Sequence, residues 1–254
     1  MDRTSTLLAH CGTTKVDREF LLKLDTPPAT ETHQPIAHAS LVDAIEESLA
    51  FRHIRLERSE FAISKDGMKM FGLLEVNQEY DGVRFAIGLR NSNDKSMRLG
   101  MVAGYRVFVC DNMALSGDFN PLLAKHTKNL DLIESVSMGI DRIQRGWQPM
   151  REEIDRKRQI RLTDDEARLL IYKAFAVSGL PVSMFGTVAN EYETTENNTL
   201  WDLEQCFTDS FKRLKPVNHF QATSKLGKFI GKVGRTIDIP HYVIPVEPLD
   251  NDLN

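Results

Sequence analysis

The fold is organised around residues 85–119, which read FAIGLRNSNDKSMRLGMVAGYRVFVCDNMALSGDF. Apolar side chains alternate at Phe85, Ile87 and Leu89, a pattern typical of a half-buried β-strand. A second strand-like run spans residues 101–110, and a loop rich in Asn, Ser, Asp, Lys and Arg joins the two runs. This pattern predicts interior strand residues, a buried Cys110 thiol, and a rim of polar groups, which is where function usually lies.

Two Asp-Gly pairs upstream of this stretch indicate tight hairpins. Asp66-Gly67 and Asp81-Gly82 each interrupt an alternating pattern, and glycine supplies the positive φ that a two-residue turn requires. The pattern predicts an antiparallel β-meander of about four or five strands over residues 53–110. We therefore predict an α+β fold in which this meander is flanked by an N-terminal helix and several C-terminal helices.

Helical spacing of apolar residues predicts the flanking helices. Ser40 resembles the N-cap of the first helix, and the long helix continues after Pro149 as a charged segment. Thr163 and Glu166 form a capping box. The predicted helices span residues 41–52, 130–147, 150–162, 163–179 and 198–214.

Composition divides the chain into three parts: an extended N-terminal arm (1–39), an α+β core (40–215), and a basic loop followed by an acidic, proline-rich tail (216–254). Within the arm, residues 16–24 are the exception and fit a short strand or a helical turn. The basic part contains GKFIGKVGR at 227–235, whose free N–H and ammonium groups could hold phosphates. It is not a P-loop, because Val233 stands where a hydroxyl must bind magnesium. The alternative interpretation is a solvated basic loop folded against the acidic tail.

Length and composition limit the class of protein. The chain has 254 residues, is 41% hydrophobic and carries a formal net charge of -4, so any nucleic-acid binding requires an uneven distribution of charge. No apolar run approaches the ~20 residues of a membrane-spanning helix, and the N-terminus lacks a signal-peptide pattern. We expect no membrane association and a cytoplasmic location. The three cysteines are widely spaced, which indicates reduced thiols.

The sequence favours a non-enzymatic role. Seven histidines occur without ligand spacing, so we predict no metal site and no cofactor. Asp94 and Asp111 could converge as a carboxylate pair for magnesium or acid–base chemistry, or each could serve its own turn. No Gly-x-Ser-x-Gly elbow is present, and we predict no catalytic residue.

Basic residues on the polar rim, the charged helix and the basic loop are the candidate contacts to nucleic acid. Tyr105 and Phe108 could offer a stacking face. Both also fit the core, and the pattern favours the core more strongly for Phe108. The predicted nucleic-acid-binding residues are Arg90, Asn91, Lys95, Arg98, Arg106, Lys125, Lys128, Arg156, Lys157, Arg158, Lys228, Lys232 and Arg235.

Four motifs carry a resemblance to a known family. They read DGMKMFG (66–72), GLRNSNDKS (88–96), GYRVFVCDNMALSG (104–117) and KHTKN (125–129). Over residues 40–214 the chain resembles the phage/plasmid-like proteins, a domain of unknown function found on phages, plasmids and integrative elements. The element order is also similar, at fold level only, to single-strand annealing proteins of the Red-beta and Rad-fifty-two type, which form rings around a basic groove.

Three hypotheses follow. In the first, the chain is a mobile-element protein that binds single-stranded nucleic acid, expected to be DNA, with strand annealing and recombination by a homo-oligomer as a narrower form. The helix over residues 151–161 has too little apolar surface for its own core, which suggests docking on a second subunit. The alternative is a protein-binding module that acts on a host factor, such as an inhibitor of a defence system. The third hypothesis is a phosphoryl-chemistry enzyme that uses Asp94 and Asp111.

Overall fold

The computed structural model describes residues 14–107, 113–115, 122–178, 180–211 and 216–236. The strands are β1 (Thr14–Val16), β2 (Leu56–Ile63), β3 (Lys69–Tyr80), β4 (Val83–Ser92), β5 (Leu99–Val107), β6 (Met113–Leu115) and β7 (Leu122–Ala124). The helices are α1 (Arg18–Leu22), α2 (His38–Phe51), α3 (Leu132–Gln159), α4 (Asp164–Ser178), α5 (Phe185–Glu193), α6 (Leu200–Phe211) and α7 (Pro216–Thr236), with a 3-10 turn at Val182–Met184. The predicted α+β fold is confirmed.

The strands form one antiparallel sheet in the order β1-β2-β3-β4-β5-β6, and β7 also pairs with β5. β6 pairs with Gly104–Arg106 of β5, whereas β7 pairs with Leu99–Met101 at the other end of that strand. β4 lies between β3 and β5 and pairs with both along most of its length. The strands from β2 to β5 are the predicted meander.

Both Asp-Gly turns form as predicted. Asp81 and Gly82 have φ values of 42° and 77°, and positive φ at both central residues matches the right-handed twist of the flanking strands. Gly67 has a φ of 69°, and the Asp66 carboxylate accepts from the backbone N–H of Met68 at 3.1 Å. These two turns fix the registers of β2 with β3 and of β3 with β4.

Helices α2 and α3 pack on one face of the sheet, which we call the inner face. Phe85 and Ile87 are fully buried there, as predicted, and the Phe85 ring stacks on Trp147 of α3 with centroids 5.9 Å apart. The side chain of Val107, and all of Val109 and Cys110, lie outside the described residues.

Helices α4, α5, α6 and α7 build a second apolar cluster around residues such as Phe207 and Phe211. Leu226, Ile230 and Val233 of α7 are buried in this cluster. The predicted end of the core at residue 215 is therefore wrong, because α7 completes the C-terminal helical layer.

A buried ionic junction joins the sheet to the C-terminal helices. The Lys157 ammonium on α3 contacts Glu204 of α6 at 2.9 and 3.0 Å and Glu153 at 2.8 Å. The Tyr105 hydroxyl of β5 donates to Glu204 at 3.2 Å, and its ring stacks on Trp201 of α6 with centroids 5.6 Å apart. Charges removed from water are tolerated only when they are paired in this way.

The charged segment after Pro149 belongs to one continuous helix, α3, with the proline inside it. A proline removes one helical hydrogen bond and costs about 3 kcal/mol in a helix interior. Ile143, Trp147, Met150 and Ile154 are all buried on one stripe that continues across the proline. Packing of that stripe offsets the local cost.

The predicted glycine-punctuated basic loop is wrong, because residues 216–236 form helix α7. Gly227, Gly231 and Gly234 recur at spacings of four and three, so they share one helix face. A Cβ at Gly231 would lie 3.5 Å from the Glu153 carboxylate, and one at Gly234 would lie 3.6 Å from the Leu200 side chain. The glycines thus permit close helix packing, and helical hydrogen bonds occupy the N–H groups that a phosphate loop would leave free.

One N-terminal prediction also needs correction. Helix α2 begins at His38, with Ala37 rather than Ser40 at its N-cap and no side-chain capping bond. The short strand or helical turn predicted within the arm is present, since β1 pairs with β2 and the short helix α1 follows it. Residues 1–13 lie outside the described part. Among the described helices, none is long and apolar enough to cross a membrane.

We predict that the ionic junction is strongly coupled. Lys157→Met leaves the Glu204 carboxylate buried without its cation, which costs about 3–5 kcal/mol of unfolding free energy. The double variant Lys157→Met, Glu204→Gln removes both charges and keeps an acceptor for Tyr105, so we expect it to recover at least half of that loss. Urea denaturation of the four proteins in the double-mutant cycle measures the coupling; additive losses would contradict the prediction.

Candidate functional site

Strand register brings three predicted cations to one corner of the outer face, the face opposite α2 and α3. Arg90 of β4 pairs with Gly100 of β5, and Gly100 pairs in turn with Leu123 of β7. Arg98 lies close to Arg90, since its charge acts on the Arg90 guanidinium, and Lys125 directly follows the last residue of β7. We call Arg90, Arg98 and Lys125 the cationic corner.

The Arg90 side chain packs directly on Gly100. A Cβ at Gly100 would stand 2.9 Å from Nε and 3.2 Å from Cγ of Arg90, so a larger residue would displace the guanidinium. Arg90 is half-buried, and its pKa is lowered by this burial and by the charge of Arg98. Glycine thus allows the arginine to lie flat against the sheet.

Among the described residues, no carboxylate pairs with the cationic corner. Within the part of the chain that the structure describes, neither Arg90 nor Arg98 forms an ion pair, and each is the other's charged neighbour. Lys125 is exposed and has no ion-pair partner among the same residues. Two adjacent arginines without a carboxylate form an electropositive site that favours an anion.

Apolar side chains border the corner. Phe71 of β3 pairs directly with Arg90 and is half-buried beside a small cluster that contains Leu73 and Val102. Leu123 is 48% exposed on the other side of Gly100. Sequence reasoning missed Phe71, Gly100 and Leu123, because only the cross-strand register shows that they neighbour Arg90.

The loop after β4 adds further polar groups. Lys95 is exposed and has a φ of 66°, and Lys128 is exposed in the turn that follows β7. Asp94 serves its own turn: it accepts from the Ser96 backbone N–H at 3.0 Å and from the Ser92 hydroxyl, and it pairs with Lys69 at 3.1 Å. Although burial opposes ionisation, these bonds hold the pKa of Asp94 well below its usual range.

The proposed carboxylate pair is not established, since Asp111 lies outside the described residues. Among the residues that are described, no group of three or more His, Cys, Asp or Glu side chains could hold a metal ion. The Asp94 contacts match the alternative in which this residue stabilises a turn.

A histidine–asparagine network lies on the inner face directly beneath the cationic corner. The Asn91 amide nitrogen donates to the Ile36 carbonyl at 2.8 Å and to His38 Nδ1 at 2.9 Å. His126 Nε2 donates to the Asn91 amide oxygen at 2.7 Å, and His38 Nε2 donates to the Gly67 carbonyl at 2.9 Å. All three of these polar side chains are buried.

The same network fastens the N-terminal arm. Asn93 accepts from the Ile36 backbone N–H at 3.0 Å through its side chain and from His33 Nε2 at 3.3 Å through its carbonyl. The Gln34 backbone N–H donates to the His126 carbonyl at 3.1 Å. The arm, β4 and the segment after β7 are therefore held together at one point.

Asn91 and Lys157 are corrections to the predicted contact set. Asn91 is fully buried and all of its side-chain bonds lie inside the protein. Lys157 is 2% exposed and is part of the ionic junction. Tyr105 is also corrected as a stacking face, because its ring is buried against Trp201, and Phe108 lies outside the described residues.

The remaining predicted contacts do not join the corner. Arg158 pairs with Asp81 at the β3–β4 turn, and its guanidinium lies 4.7 Å above the Trp201 ring. The seven residues of β4 between that turn and Arg90 span about 23 Å at the usual rise of a strand. Arg156 is exposed on the same helix as Arg158, so the structure separates this basic segment from the polar rim. The Arg106 side chain is outside the described part.

Lys228, Lys232 and Arg235 are exposed and share one face of α7. Their spacings of four and three place them in one stripe. Helix α7 contacts α3 and β6, and β6 pairs with the Gly104–Arg106 end of β5. The stripe therefore lies away from the Leu99–Met101 end of β5, where the cationic corner is.

Comparison with known proteins gives one match. The family model described as Domain of unknown function (DUF932) matches residues 31–229. The resemblance to a domain of unknown function, expected over residues 40–214, is confirmed over this slightly longer range. None of the curated proteins and none of the solved structures matches the chain.

We predict that the histidine–asparagine network makes the fold acid-sensitive. Burial lowers the pKa of His38 and of His126, and for His126 the charges of His33 and His38 act in the same direction. The unfolded chain therefore binds more protons than the folded chain as pH falls below the ordinary value near 6.5. Stability from these groups is complete above that pH and is lost below it.

We expect the unfolding free energy to fall by up to about 1.4 kcal/mol per pH unit for each histidine between pH ~6.5 and ~5. Urea denaturation across this range measures the slope while most carboxylates stay ionised. The variant His38→Asn, His126→Asn should show a flatter slope than the parent chain. Equal slopes in the two proteins would refute the prediction.

Proposed function

We propose that this chain, which belongs to the DUF932 family, binds single-stranded nucleic acid through the cationic corner. A phosphate in contact with Arg90 and Arg98 would supply the anion that the corner lacks. Contacts of this kind are independent of sequence and release counterions. The proposal therefore describes a backbone-tracking surface rather than one that reads bases.

The single observation that carries the proposal is that Arg90 and Arg98 are neighbours and that neither pairs with a carboxylate in the described part of the chain. Placing Arg90 half-buried beside Arg98 is unfavourable in the absence of an anion, since like charges repel and burial removes water. A bound phosphate would relieve both effects and would accept charge-assisted hydrogen bonds from the guanidinium groups. Structural arginines of this sheet differ: Arg58 and Arg84, for example, pair with glutamates.

The apolar border supports a single strand over a duplex. Phe71 and Leu123 flank the arginines on the outer face, and an unpaired base can pack against such side chains while its phosphate contacts a cation. In a duplex, the faces of the bases are stacked on one another inside the helix and are not available for this contact. Lys95 and Lys128, both exposed nearby in the chain, would extend the phosphate path.

Strand annealing by an oligomer, expected to act on DNA of a mobile element, is a narrower form of the same proposal. The sequence suggested an oligomer because the charged helix has little apolar surface for its own core. The structure weakens this argument, because Met150, Ile154 and Lys157 of that helix are buried within the chain itself. Light scattering with and without an oligonucleotide tests this form. A monomer of about 29 kDa in both conditions, the mass of one chain, would leave strand binding without a ring.

Binding to a host protein is the second candidate. Phe51 at the end of α2 is 82% exposed, and Ile133 and Met138 of α3 are exposed as well. Arg52 bonds to Ser137, which places the Phe51 end of α2 next to this part of α3. Exposed apolar side chains at one location mark interaction surfaces, and the variant Phe51→Ser separates this activity from strand binding.

We predict that Arg90→Ala and Arg98→Ala each weaken binding of a long thymidine oligonucleotide. Loss of one phosphate contact lowers the log–log salt slope by roughly 0.7, which corresponds to about fivefold weaker binding at ~0.1 M salt. Arg156→Ala is the matched control, since this exposed arginine lies on the separate basic segment. Fluorescence anisotropy across a salt series gives both quantities.

Gly100→Ala provides a second variant that keeps every charge. The added methyl group would displace the flexible end of Arg90, so we expect weaker binding with little change in stability. The proposal fails if the parent chain does not bind at ~50 mM salt, where non-specific contacts are normally detectable. It fails equally if Arg156→Ala matters as much as Arg90→Ala.

A further inference from the structure

We propose that the histidine–asparagine network positions Arg90 and Lys125 for anion binding, and that it does so only while His38 is neutral. Asn91, His38 and His126 are positioning residues in this scheme, because none of them reaches the outer face. The inference rests on the proposed function, because that proposal assigns anion binding to the cationic corner. The coupling between network and corner is a separate property that can be measured without a ligand.

Sequence adjacency links the two faces of the sheet. Arg90 and Asn91 are consecutive in β4, so one side chain points outward and the next points inward. Lys125 directly precedes His126, which bonds to Asn91 on the inner face. β4 and β7 lie on opposite sides of β5, so their backbones are about 10 Å apart. The 2.7 Å bond between Asn91 and His126 crosses beneath β5 and ties these two segments together.

Two backbone carbonyls determine which nitrogen atoms of the Asn91, His38 and His126 side chains carry a proton. The Ile36 carbonyl needs a donor, so the Asn91 nitrogen must face it. That nitrogen also contacts His38 Nδ1, which must therefore be an acceptor. His38 then carries its single proton on Nε2, where the Gly67 carbonyl accepts it. The Asn91 oxygen is left to accept from His126.

A proton on His38 Nδ1 is incompatible with this arrangement. Two donors would meet at 2.9 Å, the present distance between His38 Nδ1 and the Asn91 nitrogen. Rotating the Asn91 amide would relieve that contact but would set its oxygen against the Ile36 carbonyl oxygen and its nitrogen against His126. The network therefore loses at least one buried hydrogen bond whichever way the amide turns.

His38 bonds to Asn91 and to the Gly67 carbonyl, and no described carboxylate forms an ion pair with it. Asn91 faces the ring from β4, the Gly67 carbonyl faces it from the β2–β3 hairpin, and His126 with His33 completes the cluster. The charges of the neighbouring His33 and His38 act on His126. Burial disfavours the imidazolium further, which agrees with the lowered pKa of His38.

Protonation of His38 in acid should therefore disrupt the Asn91–His126 connection beneath β5. The Lys125 segment and the arm can then move away from Arg90. The sign of the effect is diagnostic. Adding positive charge to a protein normally strengthens its binding to a polyanion. Loss of the positioned corner predicts the opposite, with the competent fraction, and hence the apparent affinity, falling about tenfold for each pH unit below the pKa of His38.

The binding test uses a thymidine oligonucleotide at constant ionic strength between pH ~7.5 and ~5. His38→Asn is the informative variant, because its side-chain oxygen can replace Nδ1 as an acceptor and does not titrate. We expect the parent chain to bind more weakly in acid and His38→Asn to lose this dependence. Ile140→Val, a conservative change in the same buried core, is the control for mild destabilisation and should keep the parent profile. Binding that strengthens in acid would overturn the inference.

A ligand-free measurement separates this inference from the proposed function. In the full chain labelled with 15N-arginine, the Nε–H signal of Arg90 should shift in step with protonation of His38, and the shift should be absent in His38→Asn. An Arg90 signal that stays fixed while His38 titrates overturns the coupling. Failure of the parent chain to bind any oligonucleotide at pH 7.5 overturns the proposed function, and the Arg90 titration still decides the coupling.

Discussion

The pairing of β4 with strands on both sides is the constraint on which the rest of the structure depends. Hydrogen bonds to β3 and β5 fix which face each β4 side chain occupies. Phe85, Ile87 and Leu89 consequently enter the core beneath α2 and α3, whereas Arg90 is held on the outer face. A shift of one residue would bury the arginine and expose Asn91, so the apolar alternation of this strand also places the candidate site.

Buried polar groups act as the specific connections between layers of the molecule. The ionic junction of Lys157, Glu204 and Tyr105 ties the sheet to the C-terminal helices. The histidine–asparagine network ties the N-terminal arm and the segment after β7 to the end of β4. Each group would be costly to bury alone, so each connection holds only when all of its partners are in place. The first uses formal charges, whereas the second requires neutral histidines, and this difference makes the second sensitive to acid.

The cationic corner differs from both connections because none of the described carboxylates pairs with its arginines. Arg90 and Arg98 are neighbours, while Arg158 and Lys157 are each paired with acids. Positive charge is therefore available at one corner of the sheet even though the chain as a whole carries a net charge of -4. Local arrangement, and not total charge, supports the proposal of nucleic-acid binding.

The sequence by itself determined the features that depend on local rules. Alternation around Phe85, the two Asp-Gly turns and the Thr163–Glu166 capping box all form as predicted, because each is decided within a few residues. Tertiary structure decided the rest. Pro149 stays inside a helix and the glycines of α7 become helical because packing outweighs local propensity. Asn91 and Lys157 are buried by partners more than 30 residues away in the chain. Strand register brings Arg90, Gly100 and Leu123 together at the cationic corner. Such cross-strand contacts cannot be deduced from the spacing of residues along the chain.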